Sequence, residues 1–271
     1  MRKGDDVVKI TNKEIDAGNA FDWGRTSKDY AKYRDIYPAV FYEKIAERGL
    51  CVANQRVLDL GTGTGVLPRN MYAYGANWTG TDISRQQIEE AKALAQQMNQ
   101  NISYICVPAE DISFSSHSFD VITACQCFWY FDYEKLLPKL LQFLKPDGRL
   151  LFLYMAWLPQ EDAIAGASEQ LVLKYSPNWS GAREYMHPIS LPACVYEAFE
   201  TVAHEEYVLD IPFTKESWNG RMKACRGVGA SLSDQAIKAW EQEHLQLLKQ
   251  NAPAAFYVKH YAAMLEMKRR T

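Results

Sequence analysis

Short apolar runs alternate with longer helical patterns along residues 40–156. Residues 57–60 are apolar except for Asp59 and are followed by three glycines at alternate positions, which predicts a buried strand entering a tight turn. A second predicted strand ends at residue 82, and the later ones are 101–107, 119–124 and 149–156. The predicted helices are 40–48, 66–74, 84–98 and 133–144. Strands that alternate with helices indicate an α/β fold with a mostly parallel sheet.

The pattern changes after residue 157. A helix is predicted at 161–175, followed by a segment rich in turn-forming residues up to 192. Strands are predicted at 203–213 and 255–267, the last of them antiparallel, with helices 214–226 and 232–248 between them. Residues 1–20 are polar and show little periodicity, so we expect a loosely packed start.

The glycine turn carries the strongest functional signal. Gly61, Gly63 and Gly65 form a GxGxG pattern, whereas a dinucleotide fingerprint needs its last glycine at position 66. Asp82 follows the predicted second strand, where a carboxylate can accept hydrogen bonds from the hydroxyls of a ribose. These residues favour an adenosine-type ligand. The alternative is a glycine-rich turn with a capping aspartate and no ligand.

Five motifs occur in a fixed order: VLDLGTGTGVL, GTDIS, AEDISF, SFDVITACQCFWYFD and LKPDGRLLFL. Together they resemble the class I S-adenosylmethionine-dependent methyltransferases of the small-molecule kind called methyltransferase type 11. The resemblance covers residues 55–155. It implies a Rossmann-like sheet of seven mostly parallel strands with an antiparallel last strand, helices on both faces and a mostly helical cap. It also implies that S-adenosyl-L-methionine donates a methyl group to a small molecule and leaves as S-adenosyl-L-homocysteine.

The resemblance also implies a domain organisation. Residues 1–50 would be an N-terminal helical segment that closes over the cofactor, and residues 51–157 the S-adenosylmethionine-binding core. Residues 158–202 would be an inserted cap, and 203–271 the end of the sheet with a helical insertion at 214–253.

The expected cofactor-binding residues follow from the same motifs. Arg34 lies among tyrosines and is expected to pair with the methionine carboxylate, the alternative being an aromatic surface stripe. Ala109 and Glu110 are expected at the adenine, although Pro108 stands where many relatives carry an aspartate. The full expected set is Tyr33, Arg34, Asp59, Gly61, Thr62, Gly63, Gly65, Asp82, Ile83, Ala109, Glu110, Asp111, Cys125 and Gln126.

Aromatic residues 128–131 follow the fourth strand and are expected to exclude water from the methyl-transfer site, the alternative being core packing. The expected acceptor-binding residues are Tyr30, Trp129, Tyr130 and Trp157. Trp129 occupies the position of a histidine in many relatives, so a base must come from elsewhere if the acceptor needs one. Tyr185 and His187 are the candidates, although a single loop histidine is more often a surface residue.

Composition narrows the remaining possibilities. The 271 residues carry a net charge of −3, which gives no basic field for nucleic acid. The six cysteines are irregularly spaced, which indicates reduced thiols in a cytoplasmic protein rather than a zinc site, and we expect no metal. We also expect no membrane segment and a monomer or homodimer. The alternative functions are a non-catalytic S-adenosylmethionine-binding protein and, less favoured, a nicotinamide-dependent oxidoreductase.

Overall fold

One seven-stranded sheet runs through the protein, in the order β3-β2-β1-β4-β5-β7-β6. The computed structural model describes residues 9–270, so the expectation of a loosely packed start lies outside the described residues for positions 1–8. For the described residues of that start it is wrong, because Ile15 and Asp16 are buried and Arg226 donates to the Asp16 carboxylate at 2.7 Å. The strands are β1 (Arg56–Leu60), β2 (Asn77–Asp82), β3 (Ser103–Cys106), β4 (Phe119–Cys125), β5 (Leu144–Trp157), β6 (Phe199–Thr214) and β7 (Ala255–Arg269).

Nine α-helices are present among residues 9–270. They are α1 (Ser27–Tyr33), α2 (Ala39–Glu47), α3 (Val66–Asn70), α4 (Arg85–Gln97), α5 (Tyr133–Phe143), α6 (Ala163–Tyr175), α7 (Ala193–Ala198), α8 (Lys215–Lys223) and α9 (Asp234–Asn251). Strands β1 to β5 pair in parallel, and the last strands are antiparallel. The predicted Rossmann-like fold is therefore confirmed.

The apolar centre of the sheet lies at β1 and β4. Val57, Leu58 and Leu60 of β1 are buried, and so are Val121 and Ile122 of β4. A strand covered on both faces needs such a near-continuous apolar run, which is the pattern that predicted it. The two strands are in register from Val57, opposite Val121, to Leu60, opposite Ala124, so their carboxyl ends are level.

The chain forms two compact units. The first comprises the described residues up to Ile36, Trp157–Tyr185 and Asp210–His260. The second comprises Tyr37–Ala156, Met186–Leu209 and the described residues from Tyr261 onward, and it holds the glycine turn and Asp82.

Helices α6, α8 and α9 of the first unit pack together around a buried polar network. The ring of His244 lies between the Asn219 side-chain oxygen, 2.8 Å from Nδ1, and the Ser168 hydroxyl, 3.0 Å from Nε2. The indole N–H of Trp218 donates to the same hydroxyl at 2.9 Å. Burial lowers the pKa of His244 to about 4, so the ring is neutral at physiological pH. The network satisfies polar groups that the helix interface takes out of water.

Several predicted boundaries were right, and others were wrong for identifiable reasons. The sequence predicts Ser84 and Ser233 as N-caps, and both take that role at the starts of α4 and α9. The sequence also predicts Asp132 as the N-cap of α5, but its side chain makes no capping bond and its carboxylate pairs with Lys135 at 2.7 Å. Residues 145–148, whose proline and glycine predict a turn, lie within β5, since Leu144 already pairs with Phe119 of β4.

Two predicted helices are shorter than expected. The one predicted at 66–74 ends at Asn70 and is followed by a 3₁₀ turn, Tyr72–Tyr74. The tyrosines at helical spacing in residues 27–38 predict a second helix that ends at Pro38, and α1 ends earlier, at Tyr33.

Candidate active site

The glycine turn joins β1 to α3 at the carboxyl edge of the sheet. Gly61, Gly63 and Gly65 all have positive φ, at 58°, 56° and 73°, which residues with a side chain adopt only at a cost. The N–H of Gly65 donates to the carbonyl of Thr62 at 2.9 Å and closes the turn. The main chain thereby lacks side chains at three alternate positions, of which Gly61 and Gly63 are half-buried and Gly65 is buried.

Asp82 holds the glycine turn against the end of β2. Its carboxylate accepts the N–H of Gly63 at 2.9 Å and the N–H of Ser84 at 2.8 Å. Burial raises the pKa of Asp82, and the two backbone donors oppose that rise. Each carboxylate oxygen keeps a further lone pair, so Asp82 can still accept hydrogen bonds from a ligand. The structure thus brings together the two features that the sequence analysis linked to a ribose.

Two glycines are required by the packing around the turn as well as by its dihedral angles. A Cβ on Gly61 would lie 2.8 Å from the side chain of Cys127. A Cβ on Gly65 would lie 2.2 Å from the hydroxyl oxygen of Tyr104. The loop after β4 therefore lies directly against the start of the turn, and β3 supports its end.

Asp59 lies beneath the turn, buried in β1. Its carboxylate accepts the hydroxyl of Thr123 at 2.6 Å. Burial raises the pKa of Asp59 to about 6, while the hydroxyls of Thr123 and Thr62 oppose the rise and the nearby Asp82 adds to it. Thr62 is also buried, and its N–H donates to the Thr81 carbonyl at 2.8 Å.

The segment after β3 lies beside Asp82, because the N–H of Val107 donates to the Asp82 carbonyl at 2.9 Å. Ala109, Glu110 and Asp111 form a 3₁₀ turn in this segment. One Glu110 oxygen accepts the N–H of Asp132 at 2.9 Å, which connects the turn to the start of α5. Ile83 follows Asp82 and is partly exposed.

Cys125 is the last residue of β4, and Gln126, the next residue, has a strained backbone conformation. Gln126 has a φ of 63°, unusual for a residue with a side chain and of a kind concentrated at functional sites. Its N–H donates to the Leu153 carbonyl at 2.9 Å, and its side-chain amide donates to the Met155 carbonyl. The Cys125 thiol lies 3.6 Å from the Tyr37 hydroxyl. These contacts fix the loop that leads from β4 toward the aromatic run.

The aromatic run continues into a cluster of rings in the second unit. Trp129 is 37% exposed and packs edge-on against Phe128 at 4.8 Å and Tyr154 at 5.4 Å between ring centroids. Tyr130 lies 5.5 Å from Trp129. The rings of Tyr154 and His187 are 6.2 Å apart. The predicted residues Trp129, Tyr130 and His187 therefore belong to one neighbourhood.

The other predicted site residues belong to the first unit; they are Tyr30, Tyr33, Arg34, Trp157 and Tyr185. Tyr185 is 65% exposed, in contrast to the half-buried His187. The Arg34 guanidinium lies 5.2 Å from the centre of the Tyr30 ring, and the Tyr33 hydroxyl donates to Glu216 at 3.1 Å. Trp157 is buried, with its indole N–H donating to Glu169 at 3.1 Å. Their roles toward cofactor and acceptor stay predictions.

Sequence reasoning missed several residues around the site. The turn is supported by Tyr104 of β3, Thr123 of β4 and Cys127, which follows β4. Parallel strands bring their carboxyl ends to one edge of the sheet, and this rule could have placed these residues near the turn. Tyr154 and Tyr261 join the ring cluster. The proximity of Tyr261 depends on the position of β7 in the sheet, for which the local sequence holds no signal.

The fold and the turn together define a class of protein. In this sheet a glycine turn follows the carboxyl end of β1, and Asp82 lies at the end of the neighbouring strand β2. Rossmann-like proteins have this arrangement and bind their ligands at that edge of the sheet. Among the described residues, no group of His, Cys, Asp and Glu side chains could hold a metal ion. None of the helices within 9–270 is long and apolar enough to cross a membrane.

Comparison with known proteins finds a family model that matches part of the chain. Residues 58–152 match the family model described as a methyltransferase domain. The match supports the predicted resemblance to class I S-adenosylmethionine-dependent methyltransferases and the predicted cofactor.

Individual relatives agree with this assignment. The ubiquinone biosynthesis O-methyltransferase of Coxiella burnetii (strain Dugway 5J108-111) is 32% identical over 110 residues, which cover 40% of this chain and 47% of that protein. The uncharacterized methyltransferase YcgJ of Bacillus subtilis (strain 168) is 33% identical over 144 residues, 52% of this chain and 54% of that protein. The chain spans about half the length of these curated relatives.

Solved structures share the fold at low sequence identity. The crystal structure of YcgJ has a TM-score of 0.50 at 20% identity and covers 86% of this chain and 100% of that one. The Haemonchus contortus phosphoethanolamine N-methyltransferase 2, solved with phosphomonomethylethanolamine and S-adenosylhomocysteine, has a TM-score of 0.51 at 18% identity. That match covers 91% of this chain and 58% of the other.

Proposed function

We propose that the protein is an S-adenosylmethionine-dependent methyltransferase that acts on a small-molecule acceptor. The observation that carries the proposal is the hydrogen bond between the Gly63 N–H and the Asp82 carboxylate, 2.9 Å long. It joins a main-chain surface without side chains to a carboxylate that can accept from a ribose. When bound, the cofactor supplies an activated methyl group on a positively charged sulfur, so the protein needs only to position an acceptor and exclude water.

The residues of the turn fit an adenosine-type ligand. A Cβ at Gly61 or Gly65 would collide with Cys127 or Tyr104, so only glycine keeps the turn in this conformation beside Asp82. Asp82 would accept from the ribose hydroxyls, and Ala109 and Glu110 would contact the adenine through a backbone N–H and a carboxylate oxygen. Asp59 would act from beneath, by holding β1 and β4 together through Thr123.

The named relatives support this function. The Coxiella burnetii protein is named an O-methyltransferase, and the Haemonchus contortus neighbour was solved with the demethylated product of the cofactor. A small-molecule acceptor agrees with both names. The net charge of −3 favours such an acceptor over nucleic acid.

The proposal extends to the protein's surroundings. All six cysteines have free thiols, which suits a reducing compartment such as the cytoplasm. We further propose that the protein works as a monomer or a homodimer.

Calorimetric titration tests the cofactor, and transfer of a labelled methyl group tests the activity. S-adenosylhomocysteine is expected to bind and NAD is not. At 100 times its dissociation constant, a ligand stabilises the folded state by about 2.7 kcal/mol, which a thermal shift would also detect. Binding without transfer to any of a broad set of small molecules would favour a non-catalytic binding protein. Binding of NAD in place of S-adenosylhomocysteine would favour the oxidoreductase.

A further inference from the structure

We propose that Gln126 is a positioning residue for the cofactor, which acts by holding Cys127 against the first glycine of the turn and not by touching the cofactor itself. The inference rests on the proposed function and deepens it, because it explains how the loop after β4 keeps the turn in its binding conformation. Gln126, Cys127 and Gly61 all belong to the second unit.

Gln126 is fastened to the end of β5 at two points. Its N–H donates to the Leu153 carbonyl at 2.9 Å, and its side-chain amide donates to the Met155 carbonyl. Both acceptors belong to β5, so one strand holds the main chain and the side chain of Gln126 together. Its φ of 63° is unfavourable for a residue with a side chain and persists only where the surrounding contacts impose it. The two bonds to β5 are contacts of that kind.

The bond to Met155 requires a donor in the side chain. A carbonyl oxygen can only accept, so the amide nitrogen of Gln126 faces Met155 and the amide oxygen is directed away from it. A glutamate at this position would have almost the same shape. Its carboxylate has no hydrogen to donate at neutral pH, so it would repel the Met155 carbonyl where the amide binds it.

The bend at Gln126 brings the next residue onto the turn. A residue with extended φ would continue the direction of β4, whereas the left-handed conformation of Gln126 turns the chain sharply. The Cys127 thiol donates to the Leu60 carbonyl at 3.1 Å. Its Cβ and Sγ each lie 2.8 Å from the point that a Cβ on Gly61 would occupy. The half-buried Cys127 side chain therefore covers the first glycine of the turn.

The thiol bond fixes the peptide group at which the turn begins. The Leu60 carbonyl and the Gly61 N–H belong to one planar unit, so a hydrogen bond that orients the carbonyl orients the N–H as well. Burial raises the pKa of the Cys127 thiol well above its ordinary value, and the nearby Asp59 adds to the rise, so the thiol stays protonated and can donate. A ligand that meets the turn through its main chain depends on that orientation.

His117 provides a matched control within the same unit. It precedes β4 at the opposite end of the strand and has a φ of 55°. Its N–H donates to the Gln142 carbonyl at 2.9 Å, and its Nδ1 lies 3.2 Å from the Leu144 carbonyl oxygen. His117 thus repeats the construction of Gln126, with a left-handed backbone and two bonds to carbonyls, but away from the glycine turn.

Calorimetry with S-adenosylhomocysteine on the full chain separates positioning from direct contact. Gln126→Glu cannot donate to Met155, so we expect its affinity to fall about tenfold. If Gln126 contacted the cofactor through its amide oxygen, glutamate would supply a stronger acceptor, and an affinity that stays equal or rises would overturn the proposal. Gln126→Gly is the second variant, because glycine adopts this φ without strain and favours folding. It lacks the side-chain bond and should also lose affinity about tenfold, and an unchanged affinity would again contradict the proposal.

The control variant tests whether any loosening of the sheet has the same effect. His117→Ala should lower the melting temperature and leave the affinity for S-adenosylhomocysteine within about twofold of the wild type. A loss as large as that of Gln126→Glu would show a general effect of stability and would refute a specific role for Gln126.

A double-mutant cycle tests whether Gln126 acts through Cys127. Cys127→Ala should lower the affinity about tenfold, and Cys127→Ser, whose hydroxyl can donate to the Leu60 carbonyl, should keep it within about threefold. The double variant Gln126→Glu/Cys127→Ala should bind within about twofold of Cys127→Ala alone, because the two residues act in series. Losses that multiply to about 100-fold would mean independent roles and would overturn the proposal. Failure of the wild type to bind S-adenosylhomocysteine would instead overturn the proposed function itself.

Discussion

The Thr123 hydroxyl donates a 2.6 Å hydrogen bond to the Asp59 carboxylate, and the two residues are opposite each other in neighbouring parallel strands. The pair lies beneath the glycine turn, between β1 and β4. It places an ionisable group in the apolar centre of the sheet, where the charged form is costly. Its protonation is therefore coupled to the stability of the fold.

Asp59→Asn should change how stability depends on pH. The pKa of Asp59 rises from an ordinary 3.8 to about 6 in the folded state, so between these values the folded protein binds more protons than the unfolded one. The contribution of Asp59 to stability is thus fully present below about pH 4 and is lost as pH rises through 6. The total is on the order of 3 kcal/mol.

Urea unfolding at several pH values between 4 and 8 measures this effect. The stability of Asp59→Asn minus that of the wild type should increase from pH 4 to 6 and then level off. A difference that stays constant with pH would contradict the raised pKa. Thr123→Val removes the hydroxyl that opposes the rise, so it should move the same transition to higher pH.

Gly65→Ala should destabilise the fold by more than backbone strain alone. A Cβ there would lie 2.2 Å from the Tyr104 hydroxyl oxygen at a φ of +73°. Gly49→Ala is a matched control, since Gly49 has a φ of +70° and nothing within 4 Å of the added atom. The control should lose about 1 kcal/mol. Gly65→Ala should lose about 1–3 kcal/mol more and bind S-adenosylhomocysteine more weakly. Equal losses by thermal unfolding would refute the proposed close packing.

Asp82→Ala should weaken S-adenosylhomocysteine binding at least tenfold in calorimetry. The substitution also leaves the N–H groups of Gly63 and Ser84 without their acceptor, so the free energy of unfolding should fall by about 1–3 kcal/mol. Asp120→Ala is the control, because Asp120 also accepts two hydrogen bonds but lies at the amino ends of the strands, away from the glycine turn. Its carboxylate accepts the Arg56 N–H at 2.8 Å and the Lys145 ammonium at 2.7 Å. It should cost stability and leave the affinity unchanged. Unchanged affinity in Asp82→Ala would reject the ribose assignment.

Trp157→Phe tests whether this residue has a role beyond packing. The Trp157 indole donates to a Glu169 carboxyl whose pKa is raised by burial. Loss of that donor should lower the free energy of unfolding by about 1–3 kcal/mol. Steady-state kinetics with an acceptor that the wild type methylates would show whether the KM for that acceptor changes as well. A rise in KM would support the acceptor role expected from the sequence, and an unchanged stability would contradict the structural account.

The glycine turn and Asp82 could be located from the sequence because both follow from local rules. A buried strand has an apolar run, a tight turn has glycines, and parallel strands bring their carboxyl ends to one edge. The proximity of Gly63 and Asp82 needed only these rules.

The ring cluster could not be located in the same way. Tyr154, His187 and Tyr261 come from three distant parts of the chain, and their proximity depends on β7 lying next to β5. Glu110, remote in sequence from Asp132, likewise accepts the Asp132 N–H. Pairings of this kind depend on the assembled sheet.

The position of β7 constrains the order in which the protein can form. It is the last of the seven strands to be synthesised, yet it lies between β5 and β6. During translation, β5 therefore emerges long before its neighbour and presents an unpaired edge to other chains, a recognised route to aggregation. We expect newly made chains to be most prone to misassembly, and most dependent on chaperones, until that strand has left the ribosome.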